Sequence, residues 1–244
     1  MENWRKYLAE DAARRRALAQ DISDLENKDQ WDTEAANVKY RMKPSPKAYK
    51  EMMTKGRAIK KLFAKHADRS FLESVVTIHW SYRKRILELI KSGSSKDELS
   101  AMAFLPGQFE GVARDAQGQF GDVGLIVKGH ITLLANDMDE LMTGYGRDYR
   151  TADPERTKMS GANKGVRQNF PPEMYEEGRP LLVLDKEDWQ PEEEGLGNEA
   201  LVDNWKLIGI IASDAPDMAF FRNVVDTLGL DISVMTSEEA EKKL

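Results

Sequence analysis

Apolar residues recur every three or four positions through the first hundred residues, then gather into short continuous runs, and the two textures divide the chain near residue 106. From Glu2 to about Lys28, the positions Trp4, Leu8, Ala12, Leu18, Ile22 and Leu25 fall at roughly helical spacing among Ala, Arg and Glu, which predicts an amphipathic helix. Residues 28–43 lack a clean period and read as including a loop. Ser45-Pro46 is a start signal, because serine caps free amides and proline in the first turn gives up no hydrogen bond. The stripe Tyr49, Met52, Ile59, Leu62 and Phe63 follows, with Gly56 as a soft point. Ser70 opens a further helix whose face carries Leu72, Val75, Val76, His79, Tyr82, Ile86, Leu89 and Ile90, and His79 there reads as a core or interface histidine. A capping box of Ser95 and Glu98 predicts one more short helix to Phe104, stopped by Pro106-Gly107.

Beyond Gly107 the expectation is strands and loops. Residues 107–121 read as a connector, and Val123–Leu134 is a β-branched run that predicts a strand interrupted by Gly129. Residues 136–179 form a long irregular stretch. Leu181–Asp185 and Leu207–Ala212 are short apolar runs that predict strands. Ser213 or Asp214 caps a helix beginning near Pro216, with Met218, Phe221, Val224, Val225 and Leu228 inward and Gly229 as its stop. Ile232–Met235 reads as a last edge strand, and Glu238–Leu244 as a polar tail or final helical turn. The fold class is therefore α+β: a helical N-terminal region over 1–106, then an α+β region over 107–244 with a small mixed or antiparallel sheet, long loops and one C-terminal helix.

Composition narrows the chemistry. The 244 residues include no cysteine, so disulfides, thiolate metal sites and cysteine nucleophiles are excluded, and three unpaired histidines (His66, His79, His130) give no metal signature. No apolar run is long enough to span a bilayer, and the early charges of Met1–Lys6 do not read as a secretory signal; a cytoplasmic site of synthesis is the expectation. The net charge of -6 hides a division: residues 1–100 carry 22 Lys and Arg against 15 Asp and Glu, and the remainder carries 14 against 27. The basic half suits an acidic protein or, as a minor option through residues 47–91, nucleic acid; solvated helix faces account for the same charges.

Three short groups carry candidate chemistry. Lys128 and His130 flank Gly129 and would share a face in an unbroken strand, and the glycine marks a bulge or the close approach of another backbone or a ligand. Ser160-Gly161 lies in the long irregular stretch, and Gly197-Asn198-Glu199 directly precedes the strand through Trp205 and Ile210. In this order, over residues 120–212, the groups resemble mono-ADP-ribosyltransferases. The resemblance implies NAD as cofactor, bound by Lys128, Gly129 and His130. It also implies Ser160 as a supporting catalytic residue and Glu199 as the carboxylate that stabilises positive charge on the ribose as nicotinamide departs. The chain departs from the family pattern in three places: Lys128 fills an arginine slot, no Ser-Thr-Ser triplet is present, and Gly197 stands where a second acid or amide belongs. The plain alternatives are exposed strand positions for Lys128 and His130 and an ordinary loop carboxylate for Glu199.

A second class of function fits the same residues. A non-enzymatic interaction or virion-associated structural protein would dock partners on the N-terminal helices, with Trp31, Tyr40, Trp189 and Trp205 as interface anchors or as core. The acidic half, with Asp-Lys-Glu-Asp-Trp followed by Asp-Asn-Trp, is similar in texture to bacteriophage proteins.

Overall fold

Four β-branched residues in a row, Val75-Val76-Thr77-Ile78, break what the periodicity presents as one helix. Such side chains lose rotamer freedom in a helix and fit a pleated surface. The computed structural model describes residues 46–92, 98–107, 121–136, 182–189, 198–212 and 214–244, with scattered helical residues between 13 and 24. Over the expected helix it shows α2 (Arg69–Ser74), β1 (Val76–Ser81) and α3 (Arg83–Ser92) in succession, after α1 (Pro46–His66). The expected short helix before Pro106 is instead β2 (Leu99–Phe104). Glu98 there accepts a hydrogen bond from the Thr132 hydroxyl, and Ser95 lies outside the described residues.

The remaining elements are β3 (Val123–Ala135), β4 (Asn198–Ala212), α4 (Ala215–Leu228), β5 (Ser233–Met235) and α5 (Ser237–Glu241). The fold is α+β with a mixed five-stranded sheet. β3, α4 and β5 stand where the pattern puts them, except that Leu228, expected inward on α4, is exposed; β4 begins nine residues earlier than the apolar run at Leu207. Leu182, Val183 and Leu184 are buried, yet they form no strand beyond a bridge at Leu182. None of the described helices is long and apolar enough to cross a membrane.

Contacts divide the chain into two compact units, residues 1–68 with 139–184 and residues 69–138 with 185–244. In the first, α1 buries Ile59, Leu62 and Phe63, and its last residue, His66, is buried too. The Asp21 carboxylate accepts from His66 Nε2 at 2.6 Å and from Lys65 Nζ at 2.5 Å. Those two donors, Lys65 first, hold the Asp21 carboxyl below the usual aspartate range. The Asp68 amide donates to the Leu184 carbonyl at 2.7 Å.

The second unit holds the whole sheet, so strands from both sides of residue 106 share one ladder. The order is β2-β1-β3-β4-β5, and β2 also pairs with β4. Pairing therefore runs around a closed circuit, β1-β3-β4-β2, antiparallel throughout, while β5 adds in parallel to the far part of β4. Two strands of 13 and 15 residues must bend to close so small a ring. The β3–β4 ladder supplies the bend through register shifts at Ile126/Val127, Lys128/His130 and Ile131/Leu133. Asn204, opposite the middle shift, takes φ 49, a left-handed conformation that asparagine tolerates. Its amide is held by Asp203 Oδ1 at 2.8 Å.

One apolar cluster joins Ile78, Trp80, Phe104, Ile126 and Ile211 to Met235 and Ala240, so the C-terminal segment closes over the sheet. α5 is fixed by a capping box between Thr236 and Glu239. α4 is delimited by local chemistry at both ends: Asp214 accepts from the Asp217 amide at 2.7 Å, and Gly229 ends it in the left-handed conformation. Asp217 is only 4% exposed and forms an ion pair with Arg83, whose guanidinium also lies 5.1 Å from the Phe220 ring centroid. That contact ties the start of α3 to α4.

Candidate functional site

The middle register shift of β3 is where the chemistry collects. Lys128, Gly129 and His130 are three consecutive exposed residues in a strand that is otherwise buried except for the half-buried Thr132. Lys128 pairs with Lys206 and His130 with Asp203, and Gly129 has no partner in the ladder. The β3–β4 pairing thus shifts register between Lys128 and His130, while β3 itself runs on through Gly129. The reason for the glycine is visible: a Cβ at residue 129 would lie 2.7 Å from the Asp203 carbonyl oxygen, 2.7 Å from Val202 Cγ1 and 2.8 Å from Trp205 Cα. Of the meanings the sequence offers for Gly129, the fold displays two together, a bulge and the close approach of another backbone, that of β4.

Beside this bulge lies a hollow of about 260 Å³. Its walls are Arg69, Leu72 and Glu73 of α2, Val75 and Thr77 at the start of β1, and Lys128–Ile131 of β3. Thr77 is fixed by donating its hydroxyl to the Val127 carbonyl at 2.7 Å, and Arg69 Nη1 reaches the Ile131 carbonyl at 3.4 Å. Among the described residues, Arg69 and Lys128 line the hollow as cations, with His130 beside them and Glu73 as the one carboxylate. Lys128 and Glu73 form no ion pair among the described residues. The volume falls below the range of about 300–1,000 Å³ usual for whole-ligand sites, so the hollow suits a phosphate group or a single ring rather than an entire NAD.

Glu199 is elsewhere. It is the second residue of β4, inside the strand rather than ahead of it, paired with Met102 on β2 and with Ala135 on β3. Ala135 stands seven positions beyond Lys128, roughly 23 Å along the strand at about 3.3 Å per residue. Glu199 lines a different hollow, of about 170 Å³, with His79, Trp80 and Ser100. That hollow opens where β1 leaves β2: their register ends at Ile78↔Met102, and the His79 ring takes over with Nδ1 at 2.7 Å from the Ser100 carbonyl oxygen. A carbonyl only accepts, so Nδ1 carries the proton and Nε2 keeps a lone pair. Nε2 is out of reach of solvent and has no hydrogen-bond partner among the described residues. Burial pushes the His79 pKa below the usual histidine value, with Arg85 adding to the effect and the Ser100 bond opposing it.

The fold therefore brings Lys128, Gly129 and His130 together at one hollow and sets Glu199 at another. Ser160 lies outside the described residues, as do Trp31 and Tyr40. Trp189 and Trp205 are buried, Trp189 edge-on to Phe71 at 5.9 Å, so both serve the core. Arg69 and Glu73 are site residues that the sequence pattern passes over. Their spacing of four on a helix reads as a surface ion pair, and only the seating of α2 beside the β3 bulge turns them toward a common hollow with Lys128. No protein-family model, curated protein or solved structure matches the chain, so the geometry alone carries the functional reading.

Proposed function

We propose that this protein works by binding rather than by transferring ADP-ribose, and that the hollow at the β3 bulge takes an oxyanion, a phosphate or carboxylate carried by its partner. The observation that supports this reading is the grouping of Arg69, Lys128 and His130 around one hollow while Glu199 lines another. Arg69 offers a planar fork and Lys128 a mobile point charge, a combination suited to oxygens of a tetrahedral or planar anion. Two charge-assisted contacts of about 1.5–3 kcal/mol each place an isolated phosphate near millimolar affinity. A partner that also touches the surrounding surface binds more tightly. A transferase needs the reacting ribose beside a carboxylate, and the carboxylate at this hollow is Glu73, on a helix the family pattern does not use.

The test is calorimetric titration with inorganic phosphate and with NAD, beside an assay of nicotinamide release. The expected result is weak binding of both ligands, reduced at least fivefold in Lys128→Ala and in Arg69→Ala, unchanged in Glu199→Ala, with no release. Nicotinamide release that disappears in Glu199→Ala would restore the transferase reading. Binding indifferent to Lys128 and Arg69 would remove the hollow from consideration.

A further inference from the structure

The hollow at the β3 bulge carries charge of both signs on walls contributed by different elements. Glu73 sits one helical turn beyond Arg69 on α2, and Lys128 faces the hollow from β3. Arg69 and Glu73 are placed to pair with each other, as residues four apart on a helix do. Arg69 instead directs Nη1 to the Ile131 carbonyl, across to β3. Glu73 is exposed and makes no ion pair with Arg69 or Lys128 among the described residues. A carboxylate left in this position opposes any simple anion that Arg69 and Lys128 attract. It becomes favourable when the ligand brings its own cation.

Resting on the oxyanion reading above, we infer that the ligand of this hollow is a small dipolar molecule. Its oxyanion lies against Arg69 and Lys128, and an ammonium group a few bonds away lies against Glu73. A volume of about 260 Å³ admits a molecule of amino-acid or phosphoethanolamine size. The arrangement also explains selectivity without a deep pocket. A plain phosphate meets two attractive groups and one repulsive group, whereas a dipolar ligand meets three attractive ones.

The experiment is an NMR-detected titration, following the amides of residues 128–131 with a matched pair of probes, O-phosphoethanolamine and ethyl phosphate. These share the oxyanion and differ in the ammonium group. The wild-type protein is expected to bind phosphoethanolamine about fivefold more tightly than ethyl phosphate, the size of one exposed ion pair. Glu73→Gln, an isosteric change on an exposed side chain, should erase that ratio by weakening phosphoethanolamine and strengthening ethyl phosphate. Vesicles of phosphatidylglycerol, whose headgroup has the phosphate but no ammonium, with and without phosphatidylethanolamine form a third arm. Shifts at 128–131 only when phosphatidylethanolamine is present assign the dipole to a lipid headgroup, and shifts only with the free compound assign it to a soluble molecule. A wild-type ratio near one, or a Glu73→Gln protein that binds both probes more tightly, overturns the dipolar ligand while leaving the oxyanion site intact. Loss of neither probe in Lys128→Ala overturns the oxyanion site itself.

Discussion

Replacing Gly129 by alanine separates the two roles a glycine can play in a strand. The residue does not have positive φ, so alanine can adopt its backbone conformation and the cost is steric. The added methyl would lie 2.7 Å from the Asp203 carbonyl oxygen and 2.8 Å from Trp205 Cα, both backbone atoms of β4 that cannot turn aside as a side-chain tip can. Overpacking of this kind costs about 1–3 kcal/mol, and the collision with backbone points to the upper end. Alanine also restricts the unfolded chain, which returns about 0.4–1 kcal/mol, so the net loss should be about 2 kcal/mol. With a urea slope of about 2 kcal/mol per molar, the midpoint should fall by about 1 M. Urea unfolding followed by far-ultraviolet dichroism and tryptophan fluorescence reads this directly, since Trp205 is buried beside the bulge. A variant as stable as the wild type to within about 0.5 kcal/mol, but unable to bind phosphate, would instead give the glycine to the ligand.

Other consequences are equally open to measurement. Arg83→Ala leaves the buried Asp217 carboxylate without its counter-ion; breaking a buried pair costs about 3–5 kcal/mol, and because Arg83 is half-exposed about 2 kcal/mol is expected by urea unfolding. The double variant Arg83→Met with Asp217→Leu should recover part of that loss, and an equal or larger loss would contradict the account. Asp214→Ala removes the side-chain acceptor at the start of α4 and should cost about 1 kcal/mol, visible as a lower thermal midpoint; no change would mean the cap is idle. His79 has a folded-state pKa below its unfolded value, so its contribution is complete above about pH 6.5 and is lost as pH falls through that value toward the folded pKa. Urea midpoints between pH 8 and pH 5 should therefore decline on acidification, and His79→Gln should flatten the decline. A variant with the wild-type slope would assign it to another group.

The parts of this fold that can be read from the sequence are those decided by neighbours in the chain. α4 announces itself through Asp214, Pro216 and Gly229, and β3 through a run rich in β-branched and aliphatic residues. β2 does not: Leu99-Ser100-Ala101-Met102-Ala103-Phe104 is poor in strand formers, and its state is set by pairing with β1 on one side and β4, about a hundred residues away, on the other. β1 hid because Val76, His79 and the α3 residues beyond it happen to continue a helical stripe across a strand and a turn. At the site, Lys128 and His130 are legible as a polar pair on an apolar strand. Arg69 and Glu73 become relevant only once α2 is seated beside the bulge. Nothing in the spacing of Lys128 and Glu199 along the chain tells how far apart the β3–β4 register sets them.

The hollow at the β3 bulge and the hollow lined by Glu199 are separate. The most direct test is to map amide perturbations across the second unit as phosphate is added to the full chain. Shifts are expected at Arg69, Glu73, Thr77 and Lys128–Ile131, saturating together, with Ser100, Met102 and Glu199 unmoved. Perturbations of Glu199 and Ser100 that saturate at the same phosphate concentration as those of Lys128 would contradict it.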